Sequence, residues 1–288
     1  MKMTKIMFVL ALISFQEANA ICMDPQDGVE VAKVNLGIRE NSGIDFSNTH
    51  QGIYWALNDS GKSNIYAGGI DGASYGKFEI TGAPKTDWED IALAKCFHLP
   101  GKDCIYIADT GNNFLKREDF TVYVVEEPSN YKIEGKLNVV QTITFKIKGT
   151  HDLEAFAVNE TKQEFYFISK TKKASTVFSL AKGESLATVI ATLDFDQLTM
   201  PIKSKDKIIT AADFDNASQT LLIGTNDNAF EIKLSDLAQF KDKVRKIKIP
   251  KMDQTEAIAY YWKDGKVSVV ATSEGEGKTQ PLYSISCQ

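Results

Sequence analysis

Histidine and cysteine are scarce in this sequence, three of one and four of the other in 288 residues. His50, His98 and His151 stand apart, no H-E-x-x-H pattern occurs and no cysteines are spaced C-x-x-C, which excludes the common zinc and dithiol arrangements. Gly-x-Ser-x-Gly is missing, and "GEGKT" (275–279) lacks the Walker spacing and the strand-to-helix setting that cradles a phosphate. A basic surplus is missing too: 33 Lys and Arg stand against 38 Asp and Glu, so nucleic acid is excluded as a partner on charge grounds. Beyond the first twenty residues no apolar run approaches the roughly 20 residues that span a bilayer, so no membrane span is expected in the mature chain. Sustained helical periodicity is absent as well, apart from one short turn near "LSDLAQFKDK" (234–243).

The first twenty residues carry Lys2 and Lys5 ahead of the apolar run IMFVLALISF, which ends in Ala18-Asn19-Ala20. That is the pattern of a secretory signal with an A-x-A cleavage site, which predicts a signal over residues 1–20, a mature chain over 21–288, and a secreted or periplasmic location. Its removal takes away two Lys and one Glu and moves the formal charge from −5 to −6. In an exported chain four cysteines favour disulfides, and three pairings are open. The Pro-Gly turn inside "CFHLPGKDC" favours Cys96 with Cys104, which leaves Cys22 with Cys287 to join the two ends. Asn58, Asn159 and Asn216 are N-glycosylation signals, meaningful only in a eukaryotic secretory pathway.

What fills the chain is period-2 alternation of β-branched and aromatic residues, in short runs broken by Gly, Asn, Asp, Ser and Lys. The chain reads as all-β, with no low-complexity linker dividing it. Five segments open alike: Ser42-Gly43-Ile44-Asp45-Phe46, Glu89-Asp90-Ile91-Ala92, Glu154-Ala155-Phe156-Ala157, Thr210-Ala211-Ala212-Asp213-Phe214 and Glu256-Ala257-Ile258-Ala259. The starts are 47, 65, 56 and 46 residues apart by subtraction. Four segments supply four strands each. The fifth runs out after three, while an unassigned strand, Val29 to Gly37, precedes the first. Placing that strand on the last segment closes a ring, so the expectation is a single β-propeller of five four-stranded blades, stapled by Cys22–Cys287. Six blades is the alternative, if the long interval from Glu89 to Glu154 hides further strands.

In a propeller the start of each first strand and the end of each second strand meet at one mouth of the central tunnel. Ser42 is thereby paired with Asn58 and Asp59, Glu89 with Asp109 and Asn112, Glu154 with Lys170, Thr210 with Asn226, and Glu256 with Ser273 and Glu274. The ring is rich in carboxylates and offers Lys170 as its one cation. Crowded carboxylates must protonate, pair or bind a cation. A hard oxygen-preferring ion such as calcium suits them, with Glu89, Glu154, Glu256, Asp109 and Asn58 as expected ligands. Taken singly, "NDSG" and "DTGNN" are turn formers, Lys170 is a surface lysine, Trp88 is packing between blades and His151 is a loop residue.

The set "SG" before "LNDSG", "TDWEDIA", "IYIADTGNN", "EEP", "DLEAFAV", "FISK", "ITAADF", "TEAIAY" and "TSEGEGKTQPLY" resembles a group of secreted, mostly bacterial β-propeller proteins of unassigned activity. It departs from their usual pattern at Asn112, commonly Asp, and at Thr255, commonly Gly. More distantly the architecture is similar to propeller lactonases, gluconolactonases and paraoxonases, whose tunnel-mouth Glu, Asn and Asp residues hold calcium; that resemblance implies a cation in the funnel. Three functions follow as expectations. The first is a binding module whose acidic funnel receives a small polar ligand, a sugar or a peptide. The second is a calcium-dependent hydrolase of lactones or of phosphate or carboxylate esters. The third is a scaffold whose blade rims bind another exported protein.

Overall fold

In a computed structural model the structure describes residues 22, 24–34, 36–203, 207–275 and 279–287. The signal segment and the middle of "GEGKT" lie outside the described residues. The strands run in chain order as β1 (Val29–Val34), β2 (Asn41–Phe46), β3 (Ile53–Asn58), β4 (Asn64–Gly69), β5 (Ser74–Thr81), β6 (Trp88–Lys95), β7 (Asp103–Asp109), β8 (Phe120–Glu126), β9 (Glu134–Asn138) and β10 (Gln141–Phe145). They continue as β11 (Leu153–Asn159), β12 (Glu164–Ser169), β13 (Ala174–Ala181), β14 (Thr188–Asp194), β15 (Ile209–Asp215), β16 (Thr220–Thr225), β17 (Asn228–Lys233), β18 (Arg245–Lys248), β19 (Thr255–Lys263), β20 (Lys266–Ser273) and β21 (Gln280–Cys287). The short helical turn falls at Leu234–Gln239 and Phe240–Lys243.

These strands form five sheets in a ring: β2-β3-β4-β5-β9, β10-β8-β7-β6, β11-β12-β13-β14, β15-β16-β17-β18 and β1-β21-β20-β19. The protein is a five-bladed propeller. Ring closure is direct, because β19 packs against β2 just as β2 packs against β6, β6 against β11, β11 against β15 and β15 against β19. As the sequence predicted, β1 is the outer strand of the last blade, antiparallel to β21 with Val29 opposite Ser284 and Val34 opposite Gln280. Cys22 and Cys287 are disulfide-bonded across that joint, and Cys96 is bonded to Cys104. The long interval does hold an extra strand. It builds no sixth blade: β9 crosses back and adds to the first blade, parallel to β5. The chain can lie there because Gly76 has no side chain; a Cβ on it would meet the carbonyl oxygens of Tyr131 at 2.2 Å and Ile133 at 2.6 Å.

Both faces of every blade are covered by neighbours, which is why β3, β4 and β16 are buried at every position. Five apolar clusters result, one in each gap between blades. Phe156 and Phe167 fill the gap towards the second blade, while Ala155, Ala157 and Tyr166 face the fourth. Trp88 is wholly buried between the first and second blades.

The tunnel poses a separate problem. Each inner strand is hydrogen-bonded on one side only, so its remaining main-chain groups face the axis. Three aspartates supply acceptors across the tunnel. Asp45 accepts from Leu93 N at 2.5 Å, Asp213 from Tyr260 N at 2.7 Å, and Asp90 from both Phe156 N at 3.0 Å and Ala212 N at 3.1 Å. Asp90 reaches this position beside Gly43, where a Cβ would stand 2.5 Å from its Oδ1.

Two outcomes follow. Asp90→Ala strands Phe156 N, Ala212 N and Ile91 N without their acceptor; at about 1–3 kcal/mol each it should cost more than about 3 kcal/mol in denaturant unfolding. Cys287→Ser opens a loop closed over a separation of 265 residues. It should lower the thermal midpoint by roughly 5–15 °C with the sheets retained in far-ultraviolet circular dichroism.

Candidate functional site

The five opening residues share one backbone feature. In every blade the pairing of first and second strand slips by one residue, at Asn41/Gly43, Trp88/Asp90, Leu153/Ala155, Ile209/Ala211 and Thr255/Ala257. The residues passed over are Ser42, Glu89, Glu154, Thr210 and Glu256. A β-bulge re-aims the side chain it frees, and here it frees the same position in all five blades. Ser42, Glu89, Glu154 and Glu256 converge on one funnel of about 190 Å³, lined also by Glu40, Asn41, Asp59, Asn113, Lys170, Gln254 and Glu274. Thr210 stays out of it; its hydroxyl donates to the Thr255 carbonyl at 2.7 Å.

The remaining residues singled out in the sequence hold the funnel's loops. Asn58 Oδ1 accepts from Arg39 N at 2.9 Å and Glu40 N at 2.8 Å. Asn112 Oδ1 accepts from Lys116 N at 2.8 Å and Arg117 N at 2.9 Å. Asp109 accepts from Thr86 N and Asp87 N, each at 3.0 Å, and pairs with Arg117 at 2.8 Å. Asn226 contributes its carbonyl to Thr255 N at 3.3 Å, and Ser273, opposite Thr255 on β20, is buried beside the bulge.

Cations are more numerous here than the sequence suggested. Lys170 is 3.1 Å from Glu154 Oε2. Arg117 serves Asp109, and Lys85 lies over the Trp88 ring and donates to the carbonyls of Asn58 and Ser60. Nothing in the local sequence marks Lys85 as a rim residue. Asp87 was visible as the first letter of "DWEDIA" but stands ahead of the strand pattern, so the repeat did not single it out.

Glu89, Glu154 and Glu256 are buried at 3%, 3% and 5% exposure, which removes most of the water that would stabilise their charge. Burial, then the charge of Glu154, pushes Glu89 well above the usual carboxylate range. Burial raises Glu154 to about 8, against the pull of Lys170, and raises Glu256 to about 7, against a hydrogen bond from Gln254. Asp59 rises to about 6 through burial and the nearby Asp87. Lys170 is raised as well, which keeps it charged: burial disfavours its charge, but Glu154, Glu256 and Glu89 together hold its pKa above the ordinary value. Glu154 Oε1 is buried with no N–H donor on it among the described residues, and Glu154 is hydrogen-bonded to the neighbouring acid Glu89. A shared proton or a cation must sit between two such groups.

Asp59, Asp87 and Glu89 each offer a carboxylate oxygen, all within 4.8 Å of one another. Oxygens placed about 2.3–2.6 Å from a calcium ion can stand that far apart, so the three fit a hard divalent cation. The chemistry open to the funnel is therefore cation binding, proton holding and hydrogen bonding to a polar ligand.

No family model and no curated protein sequence matches the chain. Among solved structures it is similar to a chain of a nidogen/laminin complex, with 13% identity and a TM-score of 0.46 over 86% of this chain and 84% of that one. It is also similar to a chain of Kuenenia stuttgartiensis hydrazine synthase, with 12% identity and a TM-score of 0.44 over 83% of this chain; it spans 58% of that chain's length.

The raised carboxyls give a signed pH dependence. A carboxyl whose folded-state pKa exceeds its unfolded value binds more protons when folded, so its contribution is full below about 4.5 and is lost as pH rises through its folded pKa. Without divalent ions the thermal midpoint should therefore fall between about pH 4.5 and 8, the window set by Glu256 and Glu154. Glu256→Gln should flatten the fall below about pH 7 and leave the part between about 7 and 8, which belongs to Glu154, a result read from melts at stepped pH in EDTA.

Proposed function

We propose that this is an exported β-propeller whose funnel binds a divalent cation, calcium by its oxygen donors, together with a small polar ligand such as a sugar or a peptide. The observation that carries this reading is the meeting of Asp59, Asp87 and Glu89 oxygens within 4.8 Å beside the buried, donor-less Glu154 Oε1. Such a concentration of negative charge is offset in part by Lys85 and Lys170, and protons or a bound cation would offset the remainder. The ion would be held by Asp59, Asp87 and Glu89, and when bound it supplies positive charge that orients a ligand's oxygen. Lys170 and Glu256 line the same funnel and would bond ligand hydroxyl, carbonyl or amide groups. The resemblance of the sequence motifs to secreted bacterial propellers, and the predicted signal over 1–20, support an extracellular or periplasmic setting.

A calcium-dependent hydrolase of lactones or esters is the second reading. Glu154 Oε1 favours it, as a buried acceptor in the same funnel that could take a proton from an attacking water.

Calorimetric titration of EDTA-stripped mature protein with calcium tests the proposal. Saturable binding near one ion per chain is expected, with the thermal midpoint raised by about 5–10 °C at a hundredfold excess over Kd. Glu89→Gln should weaken binding at least about tenfold while the metal-free protein still melts cooperatively. Absence of binding at millimolar calcium would overturn the cation site.

A further inference from the structure

The opposite mouth of the tunnel holds a second cavity of about 490 Å³, separated from the funnel by the buried Asp45 and Asp90 and the half-buried Asp213. It is walled by the ends of the inner strands, with Phe46 from β2, Phe214 from β15, and Tyr261 and Trp262 from β19. The rings are held in place. Phe46 and Tyr261 lie 4.6 Å apart between centroids, and the Trp262 indole donates to Asp215 Oδ1 at 3.1 Å. Trp262 is nevertheless 44% exposed, whereas Trp55 and Trp88 are fully buried. A large, fixed and half-open aromatic surface beside a cavity is a feature that folding alone does not require.

The polar lining is of one sign. Asp45, Asp213, Asp215 and Glu160 face this cavity, and among the described residues neither Lys nor Arg lines it. The three aspartates are held by N–H donors rather than by cations: Leu93 N and Phe46 N on Asp45, Tyr260 N and Phe214 N on Asp213, Trp262 Nε1 and Ser218 N on Asp215. Glu160 accepts from Lys95 N at 2.9 Å. Each bond fixes an oxygen without neutralising its charge. Aromatic faces and uncompensated carboxylates share one complementary ligand class, an organic cation. A neutral sugar would stack on the indole but would leave the negative field unanswered.

We propose that this second mouth is a binding site for an organic ammonium ion, seated against Trp262 and Tyr261 with its charge towards Asp213, Asp215 and Glu160. It is independent of the cation site in the funnel.

Choline serves as the probe, with 3,3-dimethylbutan-1-ol as its uncharged isostere and methyl glucoside as a neutral sugar. Emission of the mature protein reports on the site, since Trp262 is the exposed indole of the three. Saturable change with choline and none with the alcohol at equal concentration is expected. By calorimetry, Trp262→Ala should weaken choline binding about tenfold, equal to about 1.4 kcal/mol. Glu160→Gln should also weaken it, with both variants keeping the wild-type melting profile and Glu89→Gln leaving choline binding unchanged. Equal response to choline and the alcohol would reduce the cavity to an apolar slot and overturn the proposal. Binding of methyl glucoside without choline would make it a carbohydrate site, and no response to choline at 100-fold the concentration typical of millimolar ligands, about 0.1 M, would also overturn it.

Discussion

Everything in this propeller rests on the unpaired inner edge of five strands around a tunnel. An exposed strand edge costs unmade hydrogen bonds and, here, five such edges face one another where water is largely excluded. Asp45, Asp90 and Asp213 answer it by reaching from one inner strand to the main-chain N–H groups of another, and four of the five inner strands, β6, β11, β15 and β19, receive such a bond. The carboxylates are favoured over neutral acceptors because charge-assisted bonds to N–H are stronger. Their own burial has a cost, visible in the upward displacement of all three acids.

That plug divides the tunnel into two chambers of different chemistry. Above it the bulges in four of the five blades turn Ser42, Glu89, Glu154 and Glu256 into a polar funnel in which oxygen donors are close enough for a hard cation. Below it the strand ends supply aromatic faces and carboxylates, with no basic residue among the described ones. Because the same inner strands run through both chambers, the strand that positions Asp213 for Tyr260 also brings Phe214 and Asp215 to the lower cavity. Structural acids and candidate ligand acids are thus neighbours on one ladder. In the funnel, what separates them is whether each oxygen already holds an N–H donor, as in Asp90, or lacks one, as in Glu154 Oε1, whereas in the lower cavity Asp213 and Asp215 keep their N–H donors and offer their charge.

The resemblance motifs acquire physical meaning in this frame. "DWEDIA" combines a rim carboxylate at Asp87, an interblade plug at Trp88, a bulged funnel acid at Glu89 and a tunnel staple at Asp90. Four consecutive residues do four jobs because the bulge breaks the two-residue period, so neighbours that would alternate between two faces point in several directions instead. "NDSG" and "DTGNN", by contrast, act through Asn58, Asp109 and Asn112 as fasteners of loop main chain around the funnel.

Blade number, the closing strand, both disulfides and the convergence of the repeated Glu position on one mouth were legible in the sequence. Each follows from local alternation, turn chemistry and a count of strands against chain ends, which are properties of order along the chain. The fifth strand on the first blade, the grouping of Asp59 and Asp87 with Glu89 in place of the expected set of Glu89, Glu154, Glu256, Asp109 and Asn58, the rim cations Lys85 and Arg117, and the aromatic chamber at the far mouth were decided by tertiary structure. Their causes act across distance in the chain: Gly76 admits a strand from another blade, Asp109 is claimed by Arg117 and the main chain of Thr86 and Asp87, and Phe46 meets Tyr261 only once the ring has closed. A one-dimensional pattern specifies which residues share a register, whereas which carboxylate is left without a donor depends on every neighbour that folding brings to it.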